Sequence, residues 1–187
     1  AVECIIKERK ENGPFKNIFD FVQRVNLSAC NRKNIEGLAL AGAFDNFKEI
    51  TREQFFASNS KGEVFCEQLV RYGNLYQSAK AEAANSLFGG FDSVEIATPE
   101  IPVAEPWSDL ERLDKERELV GIYLSAHPLD EYSVILEHVC TTHLDELNEL
   151  TPLANRDITL GGIVTGLREG YTKKGNPFGI ARIEDYS

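Results

Sequence analysis

The chain has 187 residues, 42% of them apolar and 27% charged, a globular composition long enough to bury a core in one domain or two small ones. No apolar run approaches the length of a membrane-spanning helix, and Ala1 onward shows no basic-then-apolar signal segment. The net charge of −10 argues against nucleic acid, but its distribution does not: residues 1–60 hold nine Lys/Arg against eight Asp/Glu, residues 91–155 hold three against fifteen, and residues 156–187 hold five against four. The acidity belongs to the middle, a solvated acidic face. The two ends are free to meet phosphate. Cys4, Cys30, Cys66 and Cys140 have no CxxC spacing, which points to a reducing, cytoplasmic setting with neither disulfide scaffold nor metal knuckle. The absence of methionine is what an excised segment would show.

In chain order, Val2 to Lys10 reads as a helix end with a basic last turn, stopped by Asn12-Gly13-Pro14. Asn17 to Val25 is a second short helix with Ile18, Phe21, Val22 and Val25 on one face. Asn31 is a natural N-cap for a third, whose stripe is Ile35, Leu38 and Ala39, and Gly42 stands where a left-handed residue ends it. Thr51-Arg52-Glu53-Gln54 is a capping-box pattern that predicts a long helix carrying Phe55, Phe56, Phe65, Leu69, Tyr72, Leu75 and Tyr76, with Gly62 and Gly73 as interruptions. Asn85 to Pro106, rich in Gly and Pro, predicts an extended linker or strap. A second capping box, Ser108-Asp109-Leu110-Glu111, opens a charged helix to Val120 with Leu110, Leu113, Leu119 and Val120 as its buried face. Short helices follow at Asp130 to His138 and Leu144 to Leu150. The period then changes: Ile158 to Leu167 predicts a strand with a bend or bulge at Gly161-Gly162, Lys173-Lys174-Gly175-Asn176 a turn, and Phe178 to Ile183 a returning strand.

No phosphate-binding Gly loop, nucleophile elbow, metal-spaced His/Cys set or paired metal-binding carboxylates are evident, so the region is expected to be catalytically inactive and to need no cofactor. The terminal hairpin is more informative. Arg168, Tyr171, Lys173 and Lys174 lie in or beside its turn and Phe178 just beyond, an interleaving of cations and rings that suits a single strand of nucleic acid.

Six collinear blocks carry a resemblance: Asn12-Gly13-Pro14-Phe15 with Phe19-Asp20-Phe21, Leu40 to Asp45, Ser86 to Gly89, Trp107-Ser108, Leu119 to Leu129 and Thr172 to Gly175. Together they resemble the region after the polymerase fingers in the alpha subunit of bacterial DNA polymerase III, over essentially the whole chain. The resemblance implies a mainly α fold, with a helix-hairpin-helix module that grips duplex DNA through backbone N–H groups, ending in a truncated β-hairpin that opens an OB-fold. On that reading residues 1–84 are the helical DNA-binding module, 85–106 an extended linker, 107–155 an acidic helical connector and 156–187 the start of the OB-fold. Lys7, Arg9, Lys10, Arg32, Lys33 and Gly42 become candidate contacts to duplex DNA. Arg168, Tyr171, Lys173, Lys174 and Phe178 become candidate contacts to single-stranded template. Asn85, Ser86, Leu87 and Phe88 align with the family's sliding-clamp peptide, whose usual first Gln is Ala84 here. The implied partners are DNA, the sliding clamp and other replicase subunits, with no membrane; the competing expectation is a protein-interaction scaffold that touches no nucleic acid.

Overall fold

The computed structural model describes residues 1–85 and 96–186, with Asn85 described by its backbone alone. The chain forms two compact units, Ala1–Ser125 and Ala126–Ser187. Across the described residues it is mainly helical with one two-stranded antiparallel sheet.

The first unit starts with three short helices: α1 (Val2–Asn12), α2 (Ile18–Arg24) and α3 (Arg32–Leu40). Each starts and stops for a local reason. Gly13 at φ 81° ends α1. Asn17 caps α2 by accepting the N–H of Asp20 at 2.8 Å. Asn31 and Asn34 exchange hydrogen bonds across the first turn of α3. α4 (Phe65–Asn85) packs against α2 and α3, and Gly73 is what allows the close approach to α2: a Cβ there would lie 2.6 Å from Leu27 Cδ1 and 2.7 Å from the Val22 carbonyl oxygen. Gln77 finishes the joint by donating to the carbonyls of Val22 and Val25 at the end of α2.

The core is aromatic. Phe21, Phe44, Phe55 and Phe65 follow one another with ring centroids 5.1, 5.3 and 6.3 Å apart, among buried Ile18, Val22, Ile35 and Leu69. Residues 96–106 have no regular secondary structure; Ile96 and Ile101 pack against this core, and Gln54 donates to the Pro102 carbonyl. α5 (Asp109–Val120) follows, with Ser108 and Glu111 forming the expected capping box and Gly121 its left-handed end.

Three expectations are corrected. Thr51 does not open a long helix: residues Glu53–Phe55 make one tight 3-10 turn, and α4 starts only at Phe65. The reciprocal cap is partly there, with Gln54 accepting the Thr51 N–H, but the chain then turns through Asn59 and Gly62 so that Phe55 and Phe65 both enter the core. The buried face of α5 is Leu113 and Glu116, while Leu110, Leu119 and Val120 are exposed. The bulge lies elsewhere as well. In the second unit β1 (Ile163–Tyr171) pairs with β2 (Pro177–Glu184), and the register shifts between Val164 and Gly166.

Gly161 and Gly162 stand before β1 as points of close approach. A Cβ at Gly161 would meet Leu136 and Cys140, and one at Gly162 would meet Ile183 and the Glu184 backbone. Thr159 bonds to Thr141 instead of joining the sheet. The unit also holds α6 (Ser133–His138), and the residues after β2 are tied down: Tyr186 donates to Asp130 at 2.8 Å with its ring tilted against His127 at 4.5 Å, and Asp185 accepts the Leu144 N–H. Among the described residues no helix is long and apolar enough to cross a membrane.

Candidate nucleic-acid interface

The turn after α3 is built from its own backbone. Ala41 N–H donates to Gly37, Gly42 N–H to Ala39 and Ala43 N–H to Leu38, so the three amides of the turn are all occupied. Gly42 sits at φ 76°, and a Cβ would fall 2.2 Å from Arg52 Nη2. The Arg52 guanidinium thus lies directly over the turn. Arg52 is itself surrounded: it grips Asp45 through Nε at 2.9 Å and Nη2 at 2.5 Å, donates to the Leu40 carbonyl at 3.2 Å, and reaches Glu116 Oε1 at 2.6 Å. The Glu116 side chain is fully buried. Burial pushes its carboxyl up, but the Arg52 bond and the N–H groups of Ser125 and Leu124 more than offset that and bring it down to about 2.

A second arginine treats the turn between α1 and α2 in the same manner. Arg24 donates to the Gly13 and Pro14 carbonyls and pairs with Glu8 and Asp20, while its guanidinium lies over the Phe15 ring at 4.6 Å. The Gly42 turn is therefore not an open cradle of amides, and in the turn between α1 and α2 Arg24 takes the carbonyls. What remains available to phosphate is on the helix surfaces. Lys7, Arg9, Lys10 and Lys33 are exposed; Lys7 makes a long 3.9 Å contact to Glu11, and among the described residues the other three have no ion pair. Arg32 differs from them, because it is shared between Glu36 and Glu67 and ties α3 to α4.

In the β-hairpin the turn is closed by Thr172 and Asn176, which exchange backbone and hydroxyl bonds, with Gly175 at φ 81°. Lys173 and Lys174 project from it, exposed and without an ion pair among the described residues. The register divides the remaining candidates between two faces. Arg168 pairs with Ile180, Gly170 with Phe178 and Gly166 with Arg182, so Arg168, Phe178 and Arg182 share a face, and the Phe178 ring covers Gly170. Tyr171 lies on the opposite face with Leu167 and, across the bulge, Val164 and Ile183. Arg182 was not singled out in the sequence; the strand period of two, counted forward from Phe178, is the signal that finds it. Asn85 ends α4, while Ser86, Leu87 and Phe88 lie outside the described residues.

Comparison with known proteins fits this geometry. A family described as the helix-hairpin-helix motif matches residues 1–55, which take in α1 to α3, the Gly42 turn and Arg52. The chain is 34% identical to DNA polymerase III subunit alpha of Haemophilus influenzae, with all of this chain and 15% of that protein aligned. It is 32% identical to the Vibrio cholerae protein of the same name over all of this chain and 15% of the relative. It is also 34% identical to the Deinococcus radiodurans one, over 94% of this chain and 13% of the relative. The chain belongs to the DNA polymerase III alpha-subunit family. It spans about 15% of the length of those relatives. Among the described residues of this alpha-subunit region, no three His, Cys, Asp or Glu side chains gather in a way that could hold a metal ion.

Proposed function

We propose that this chain is a non-catalytic, DNA-binding and partner-binding region of a replicative DNA polymerase, which positions duplex and single-stranded template for an active site located elsewhere. The observation that carries the reading is the helix-hairpin-helix match over residues 1–55, inside a similarity to polymerase III alpha subunits that covers all of this chain and 15% of the relative. Exposed Lys7, Arg9, Lys10 and Lys33 contact duplex phosphates, and they fix position without reading sequence. The β-hairpin is the start of an OB-fold, and its Arg168–Phe178–Arg182 face, with Lys173 and Lys174 at the tip, follows a single strand. Asn85 to Phe88 contact the sliding clamp, other replicase subunits complete the assembly, and the setting is cytoplasmic.

The test is fluorescence anisotropy of the 187-residue chain with duplex and single-stranded DNA over a salt series. Each duplex phosphate neutralised contributes about −0.9 to the slope of log affinity against log salt. Binding that weakens linearly on those axes supports the reading; absence of binding at low salt favours the protein-interaction scaffold. Calorimetric titration with the cognate clamp tests the peptide: Leu87→Ala with Phe88→Ala abolishes the interaction, and Ala84→Gln strengthens it up to about tenfold by adding one hydrogen bond. Equal binding by parent and double-alanine chain removes the clamp assignment. No primer extension is expected from the purified chain.

A further inference from the structure

Three of the exposed cations assigned above to duplex phosphate, Lys7, Arg9 and Lys10, stand on α1, a helix with no fully buried residue. Cys4, Ile5 and Glu8 are half-buried, Ile5 packs against the aromatic core, and the other residues of α1 are exposed. Cys4, Ile5 and Glu8 therefore mark the inward side of the helix, and Lys7 and Lys10, one turn apart, lie on the outward side. The neighbouring α2 is anchored differently. Its Ile18, Phe21 and Val22 are buried, and Gly73 and Gln77 join it closely to α4. Arg24, in the last turn of α2, reaches from that platform to α1. Its Nε donates to Glu8 at 3.0 Å and its Nη2 to the Gly13 carbonyl at 2.8 Å. Nη1 donates to Asp20 at 2.9 Å and to the Pro14 carbonyl at 3.3 Å. Asn12 donates to the same Glu8 oxygen at 2.9 Å. One planar group thus joins the body of α1, the turn that follows it and α2.

We propose that Arg24 is a positioning residue that clamps α1 to α2 through Glu8 and so presents Lys7, Arg9 and Lys10 to duplex DNA from a fixed helix. This rests on the duplex-binding reading above. Arg24 is committed to two carboxylates and two carbonyls, so it acts through α1 and not by touching phosphate. A helix already held in place avoids the ordering cost that a loose one meets on binding. Glu8 gives the clamp a signature of its own. Its removal makes α1 more positive, which by charge alone tightens binding to DNA, and at the same time frees the helix, which weakens it.

The test uses the 187-residue chain as parent, with Glu8→Ala, Arg24→Lys and Arg24→Met. Hydrogen exchange without DNA reads the clamp: the α1 amides should exchange about tenfold faster in all three, while those of α2, α3 and α4 keep their protection. Arg24→Lys belongs with the losses because an ammonium cannot fork between Glu8 and the Gly13 carbonyl. Glu8→Ala, whose change lies on α1 and leaves α2 intact, is the deciding variant. Unchanged exchange in its α1 overturns the clamp. Anisotropy reads the consequence. Glu8→Ala and Arg24→Lys should each lose about threefold or more in duplex affinity and hold single-strand affinity within about twofold. Duplex binding by Glu8→Ala that matches or exceeds the parent's, with α1 amides loosened, overturns the positioning role. Parental duplex affinity in Arg24→Lys does the same, because it assigns the residue to charge alone. A parent chain that binds no duplex overturns the functional reading and the positioning with it, and the exchange result separates that failure from failure of the clamp.

Discussion

The Gly42 turn and the Lys173–Lys174 turn are both glycine turns beside basic residues, and they use their charge in opposite ways. At Gly42 the amides of residues 41–43 bond back into α3, and Arg52 is consumed by Asp45, Glu116 and the Leu40 carbonyl. At Gly175 the turn closes on Thr172 and Asn176, leaving Lys173 and Lys174 exposed and, among the described residues, unpaired. The first turn is built to hold its own unit together. The second leaves its charge for something outside. A count of lysines and arginines treats the two alike, yet what a phosphate meets is the charge that internal carboxylates have not already neutralised.

The contrast breaks most severely at Glu116. Glu116→Ala leaves Arg52 buried with Asp45 as its remaining carboxylate, so the loss should fall below the about 3–5 kcal/mol of a buried charge left with no partner. Urea denaturation should show that loss in the first unit, while Lys173→Ala with Lys174→Ala should leave the midpoint almost unmoved. Acid tests the same carboxylate. Its folded value of about 2 lies below the ordinary 4.5, so its contribution is fully present above about pH 5 and is lost as pH falls through the folded value. This amounts to on the order of 1–3 kcal/mol, and Glu116→Gln should flatten that part of a stability-against-pH curve.

The open turn is sharpened by its two faces. Arg168→Ala with Arg182→Ala should weaken single-strand binding about tenfold at low salt and reduce the salt slope by one to two. Tyr171→Ala should cost less than threefold if the Arg168–Phe178–Arg182 face carries the strand; a larger loss at Tyr171 in anisotropy assigns the strand to the other face. The smallest effect is expected at Arg32. Because Glu36 and Glu67 already occupy it, Arg32→Ala should change duplex affinity less than twofold, whereas Lys33→Ala on the same helix should weaken binding several-fold.

Much of the helical region was legible because its signals are local. Asn31 caps α3, Ser108 and Glu111 box the start of α5, and Gly42 and Gly121 take left-handed conformations where a helix must stop, each decided within a few residues. The family was legible in the ordered motifs, and the end-to-end similarity to polymerase III alpha subunits bears it out. The long helix expected from Thr51 was misread because its aromatic spacing reports burial, and burial is equally served by a tight turn followed by a later helix.

What the sequence determined by itself was therefore where helices begin and end, where the chain changes from helix to hairpin, and which family it belongs to. These depend on neighbours along the chain. Only the tertiary structure decided which charges are available. Glu116 reads as one more carboxylate on an acidic helix until Arg52, 64 residues away, meets it in the interior. Arg32 shows only its i,i+4 neighbour Glu36 until Glu67, 35 residues on, comes within reach. A charge is neutralised by what lies within a few ångströms in space, and no local pattern in the chain records that distance.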